Sequence, residues 1–188
     1  MIQLKSGDLL ASNAQTLVNT VNCVGIMGKG IALDFKRNYP DMYRDYVSRC
    51  SDRELRPGVP YLYQSSTNRF IVNFPTKNHW KSKSKMEYVR DGLEVLLAKH
   101  QAWGIESIAM PPLGCGNGGL DWNDVGPVIF SYLNQMEIPV ELFVPPGVVA
   151  NDSEYRRLSA QSNAPTQVQL SLGLLDATSS PRHSVSSD

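Results

Sequence analysis

LVNTVNCVGIMGKGIALDFK, residues 17–36, runs from a short apolar stretch into a glycine-rich turn and on into a helical pattern. Leu17 to Val21 suits a β-strand. Gly25, Gly28 and Gly30 let backbone approach a ligand and present N–H groups at the start of a helix, a geometry that suits phosphate. The turn is not a Walker A loop, because Lys29 is followed by Gly30 rather than Ser or Thr, and it lacks the dinucleotide fingerprint. Taken alone it is equally a tight turn without a ligand. What raises its weight is PPLGCGNGGLDW, residues 111–122, a second glycine-rich loop that again follows a predicted strand and again leads to a helix. Two such loops can grip one diphosphate from opposite sides, with backbone donors from Gly114 to Gly119 forming a nest for anionic oxygens.

Outward from these loops, short β-rich runs alternate with longer helical ones, the pattern of an α/β domain with a mostly parallel or mixed sheet. Strands are expected at residues 2–5, 17–21, 61–64, 70–74, 107–110 and 140–144. One helix should run from about Gly30 to Asn38, and Pro40 should open a second, short one. Met86, Val89, Leu93, Leu96 and Leu97 fall at helical spacing, as do Val125, Val128, Ile129, Tyr132, Leu133 and Met136 behind Asp121 as N-cap. Both stripes read as core. Because ligands bind beyond the carboxyl ends of strands in open α/β sheets, chemistry is expected in the loops after Val21, Phe74 and Met110.

Composition agrees with one compact domain: 188 residues, 41% hydrophobic, 18 basic and 18 acidic side chains. Zero net charge argues against coating nucleic acid over the whole surface. Lys77 to Lys85, KNHWKSKSK, nevertheless concentrates four lysines with His79 and Trp80 and no acid, which is either a phosphate-contacting surface or a solvated basic loop. Cys23, Cys50 and Cys115 show no Cys-x-x-Cys spacing and the histidines are scattered, so a reduced, cytoplasmic protein without metal or cofactor is expected. No signal segment or run of about 18 apolar residues is visible, so no membrane association is expected. The domain should occupy residues 1–158, and the Ser-, Gln- and Pro-rich 159–188 should be a disordered tail with one apolar stretch, VQLSLGLL. Asn19 and Asn22 can serve sugar hydroxyls or cap their own turn, and Asp8 can accept a base amino group or cap Leu10.

The ordered series SGDLL (6–10), residues 17–36, NFPTKNHWK (73–81) and PPLGCGNGGLDW resembles the macrodomains, over about residues 1–146. Within them it is similar to the DarG-type DNA ADP-ribosyl glycohydrolases, antitoxins to DarT-type toxins. The resemblance implies a six-stranded mixed sheet between helices with ADP-ribose across its crest. It implies that Asp8 and the Leu9 backbone address adenine, and that Asn22 and Met27 to Ile31, including Gly28, Lys29 and Gly30, follow the distal ribose and a phosphate. Gly114, Cys115, Gly116, Asn117, Gly118, Gly119 and Leu120 would enclose the diphosphate, and Phe143 to Pro146, with Pro145, would flank adenine. It makes Lys77 the principal catalytic residue. Some relatives that act on acidic protein side chains pair this lysine with an aspartate where this chain has Gly118, so a covalent Lys and Asp mechanism is not expected.

The implied substrate is ADP-ribosylated single-stranded DNA, linked through thymidine, and the implied partners are ADP-ribose and a cognate DarT-like ADP-ribosyltransferase toxin, with the protein a monomer. His79, Trp80, Lys81, Lys83 and Lys85 then acquire a use as strand contacts, Trp80 stacking a base unless it anchors the core. A phosphatase acting on ADP-ribose 1''-phosphate, a protein ADP-ribose hydrolase and a non-catalytic ADP-ribose reader are the alternatives. Neutralising a lysine at pH 7 costs about 4 to 5 kcal/mol, which favours an ammonium that stabilises a departing base over an amine that attacks the anomeric carbon. Cys23 and Cys115 lie in ligand loops without an activating His and read as small-residue packing.

Overall fold

The structure, a computed structural model, describes residues 1–148. The expected 158/159 boundary, the polar tail and VQLSLGLL lie outside the described residues. Six strands, β1 (Ile2–Lys5), β2 (Thr16–Val21), β3 (Tyr61–Gln64), β4 (Phe70–Pro75), β5 (Ile108–Met110) and β6 (Val140–Phe143), form one sheet in the order β1-β6-β5-β2-β4-β3. Every neighbouring pair is parallel except β3 with β4, so the sheet is mixed through one antiparallel edge strand.

Four helices, α1 (Gly30–Asn38), α2 (Pro40–Ser51), α3 (Met86–Lys99) and α4 (Trp122–Leu133), cover the two faces. The period of two along each strand divides the core. Val18, Val72 and Phe74 pack with Val89, Leu93, Leu96, Val125 and Ile129 of α3 and α4. Leu17, Val21 and Ile71 pack with Phe35, Met42 and Tyr46 of α1 and α2. Gly92 is what brings α3 down onto β4, since a Cβ there would lie 2.2 Å from Cζ of Phe74.

The expected elements are all present, with small shifts at their ends. Helix α2 runs over 12 residues, longer than its sequence suggested, because Met42 and Tyr46 bury one side while Asp45 and Arg49 pair at i,i+4 on the other. Helix α4 starts behind Asp121, whose Oδ1 accepts from the Asn123 N–H at 2.9 Å, and stops at Leu133 although Met136 is still buried. Residues Leu9–Ala11 form a short 3-10 helix capped by Asp8.

Candidate active site

The strand order brings the chemistry together. With β2 between β5 and β4, the three loops at their carboxyl ends become neighbours although they lie far apart in sequence. The Thr76 N–H donates to Val21 O at 3.1 Å and the Cys23 N–H to Asn78 O at 2.9 Å, which ties the segment after β4 to the first glycine loop. The Ser84 N–H donates to Gly118 O at 2.9 Å, tying the basic segment to the second loop. Across the gap a Cβ on Gly30, whose φ is +56°, would stand 3.0 Å from Nδ2 of Asn117, so the two glycine loops almost touch.

Between them lies a pocket of about 620 Å³. Of the residues expected from sequence, Asn22, Gly28, Lys29, Gly30, Ile31, Gly114, Cys115, Gly116, Asn117 and Gly118 line it, together with Lys77, Trp80 and Lys81. Asp8, Leu9, Asn19, Gly119, Leu120, Pro145, His79, Lys83 and Lys85 lie outside that lining. Thr20, Val21, Ile26, Ala32, Pro111 and Pro112 line it as well and were not singled out, although all six stand inside the quoted motifs.

Three of the polar residues expected from sequence bond to the protein through their side chains. Asn22 folds its own loop: its Nδ2 donates to Ile26 O at 2.6 Å, and its Oδ1 accepts from the N–H groups of Val24 (3.0 Å) and Ile26 (3.4 Å) and from the Tyr46 hydroxyl (3.0 Å). Asn19 is fully buried under the sheet crest, where its Nδ2 donates to Oδ1 of Asn73 at 2.9 Å and its Oδ1 has no protein partner. Asp8 accepts from the Leu10 N–H at 2.9 Å, the capping role open to it from sequence. Helix α1, by contrast, begins at Lys29 without a capping side chain, which leaves its first N–H groups and the positive end of its dipole at the pocket.

Lys77 is half-buried in this pocket, and its Nζ donates to the Asn117 carbonyl at 2.9 Å. Burial lowers its pKa below the ordinary lysine value. Among the described residues no carboxylate lines the pocket, whereas Lys29, Lys77 and Lys81 do, so the wall suits an anion. Gly118 cannot carry a side chain without a shift of its neighbours, because a Cβ there would lie 2.4 Å from Oγ of buried Ser84. Burial pushes the thiols up, Cys23 to about 12 and Cys115 to about 11, which suits packing rather than nucleophilic attack.

The basic segment is solvent-facing. Trp80 is 49% exposed and is therefore no core anchor. His79 stacks beside it at 5.6 Å between centroids, and Lys81 Nζ stands 5.1 Å from its ring. Lys85 pairs with Glu87 at 3.3 Å. Among the described residues no three His, Cys, Asp or Glu side chains gather as a metal site, and no helix is long and apolar enough to cross a membrane.

Comparison with known proteins places this geometry. The macro domain family model matches residues 18–129. A Mycobacterium tuberculosis protein named DNA ADP-ribosyl glycohydrolase is 45% identical over 151 residues, covering 78% of this chain and 43% of its own length. This chain thus spans less than half the length of the curated DNA ADP-ribosyl glycohydrolases that it matches. The solved macrodomain of Mycobacterium tuberculosis DarG superposes with a TM-score of 0.75 at 44% identity, covering 77% of this chain and 98% of that one. Thermosipho africanus DarTG in complex with ADP-ribose superposes with a TM-score of 0.76 at 39% identity, covering 82% of this chain and 44% of that one. With two glycine loops meeting over the crest of a β1-β6-β5-β2-β4-β3 sheet, and with the family model spanning residues 18–129, this chain belongs to the macro domain family.

Proposed function

We propose that this protein is a hydrolase that releases ADP-ribose from ADP-ribosylated DNA, thymidine-linked and single-stranded, reversing the modification made by a DarT-like ADP-ribosyltransferase toxin. The observation that carries the reading is the pocket itself: two apposed glycine loops, an uncapped helix N-terminus and Lys77 at the junction, with no carboxylate in the lining. Its relatives' names, DNA ADP-ribosyl glycohydrolase and DarG, point the same way. Asp8, Leu9 and the segment at Pro145 are assigned to adenine, and Gly114 to Leu120 with Gly28 to Ile31 to the diphosphate and distal ribose. Asn22 serves that ribose by shaping the loop, and buried Asn19 supports the same floor.

In the reaction the bond between the anomeric carbon and a thymine ring nitrogen breaks. Water supplies hydroxide to the anomeric carbon and a proton to the base, which yields ADP-ribose and intact thymine. As the bond opens the sugar becomes oxocarbenium-like and the base takes up negative charge. The diphosphate beside the sugar stabilises the first, and the Lys77 ammonium, released from the Asn117 carbonyl, stabilises the second. One such charge-assisted contact is worth about 1.5 to 3 kcal/mol, or one to two decades in rate. The absence of an acid beside Lys77 sets this site apart from a Lys and Asp pair, and Cys115, its thiol held protonated by burial, offers no substitute nucleophile.

His79, Lys81, Lys83 and Lys85 serve the phosphates and bases of the strand, and Trp80 stacks a base. One chain supplies the six strands and the pocket lining among the described residues, which supports action as a monomer, and we place that action in the cytoplasm. The test is release of free ADP-ribose from a single-stranded oligonucleotide carrying ADP-ribosyl thymidine, with metal chelated and Lys77→Ala beside the native protein. Release that drops at least tenfold in the variant is expected. Binding of ADP-ribose without release by either protein would make the chain a reader.

A further inference from the structure

Among the described residues the large apolar side chains left exposed are Met1, Val24, Ile26, Val59 and Trp80, and two of them, Ile26 (46%) and Trp80 (49%), line the pocket that holds Lys77. An exposed isoleucine alone calls for no explanation. Here, however, the backbone of Ile26 is held at both its N–H and its carbonyl by the Asn22 amide, so the loop's hydrogen bonds are made by its backbone and not by its exposed side chain. Its Cγ2 lies 3.8 Å from the position of a Cβ on Gly28, which sets it over the glycine stretch of the pocket wall. Trp80 stands on the segment joined to that loop through the Cys23 to Asn78 hydrogen bond, so the backbones that carry the two side chains are tied together.

We infer that Ile26 and Trp80 form an apolar clamp that receives the nucleobase to which ADP-ribose is attached. The inference rests on the DNA hydrolase reading. The glycine loops and the α1 N-terminus supply polar donors for sugar and diphosphate, Lys29 and Lys81 meet phosphate charge, and Lys77 meets the charge of the departing base. What they leave uncovered is the apolar surface of that base. A thymine offers two apolar faces and a methyl group, a match for an aromatic ring and a branched aliphatic side chain. A carboxylate or hydroxyl leaving group on a protein side chain offers neither. Only an unstacked base can enter such a clamp, so preference for single strands is a property of Ile26 and Trp80 in addition to the lysines.

The experiment compares Ile26→Ser and Trp80→Ala with the native protein, and with Val24→Ser as a control on the same loop, exposed but outside the lining. Each is assayed for its Kd for free ADP-ribose by calorimetry and for kcat and KM in release from the ADP-ribosyl thymidine oligonucleotide. The expected result is an ADP-ribose Kd within about twofold of native for all three, a KM raised about fivefold in Ile26→Ser and about tenfold in Trp80→Ala, and an unchanged KM in Val24→Ser. Release by the native protein with KM unchanged in both clamp variants overturns the clamp and leaves the activity standing. An equal loss of ADP-ribose affinity also overturns it, because the side chains would then hold the nucleotide and not the base. No release by the native protein from any oligonucleotide overturns the DNA reading and the clamp with it.

Discussion

Replacing Gly118 with alanine isolates the packing that shapes the second glycine loop. Gly118 does not occupy the left-handed region, so the cost of a methyl group there is steric rather than conformational. The added Cβ would fall 2.4 Å from Ser84 Oγ and 3.1 Å from Ser84 Cβ, on a serine that is 5% exposed and whose N–H holds the Gly118 carbonyl at 2.9 Å. That backbone bond fixes Ser84 Cβ beside the new methyl group, so turning the hydroxyl aside relieves only the shorter of the two contacts. Overpacking of this kind costs about 2 kcal/mol, which for a domain of this size lowers Tm by roughly 4 to 8 °C. Ser84 Oγ has no hydrogen-bond partner, so Ser84→Ala alone should be neutral or mildly stabilising. In the Ser84→Ala background the nearest contact of the new methyl opens to the Cβ pair, and Gly118→Ala should cost less than half as much. Thermal unfolding of the four proteins closes the double-mutant cycle. The same Tm loss in both backgrounds would refute the reasoning, since the clash would then not be with the serine hydroxyl.

The lowered pKa of Lys77 separates its two chemical roles. An ammonium acting on the departing base is lost as pH rises through that pKa, so kcat/KM should fall on the alkaline side below the usual lysine value of 10.5. A profile that climbs there, or an adduct trapped by borohydride during turnover, would assign Lys77 to attack on the anomeric carbon. The same shift affects stability. A lysine whose folded pKa lies below its unfolded pKa favours the unfolded state while charged, so its penalty is present at neutral pH and is relieved as pH rises between the two values. Lys77→Met should therefore flatten the rise in Tm with pH over that interval. Salt dependence tests the strand contacts: Lys83→Ala should reduce the slope of log KM against log salt by about 0.7, the contribution of one phosphate on a single strand. Lys85→Ala should change it less, because Lys85 is already paired with Glu87.

Much of this site could be read without coordinates. Strand and helix periods are local, so Tyr61–Gln64 and Met86–Lys99 announce themselves, and so do glycine-rich turns that close a strand and open a helix. Asp121 could be read as a helix cap because a cap depends on the next two or three residues alone. The loop of Lys77 could be placed because ligands gather at strand carboxyl ends, yet its partner, the Asn117 carbonyl, stands forty positions away and no local pattern encodes that distance. Asn22 shows the limit well. Its residue type suits a sugar hydroxyl and a turn equally, and only the Tyr46 hydroxyl arriving from α2 and the fold of its own loop show that its acceptor is taken.

Composition and local spacing by themselves determined an α/β chain with two glycine-rich strand-to-helix turns and a basic segment after the fourth strand. The tertiary structure alone decided that β2 lies between β5 and β4, that Trp80 faces solvent, that Asn19 is sealed beneath the crest, and that Ser84 holds position 118 to a glycine. The physical reason is that strand neighbours are chosen by hydrogen bonding and burial summed over the whole sheet. Convergence of three loops is therefore a property of the packed layers and of no one segment.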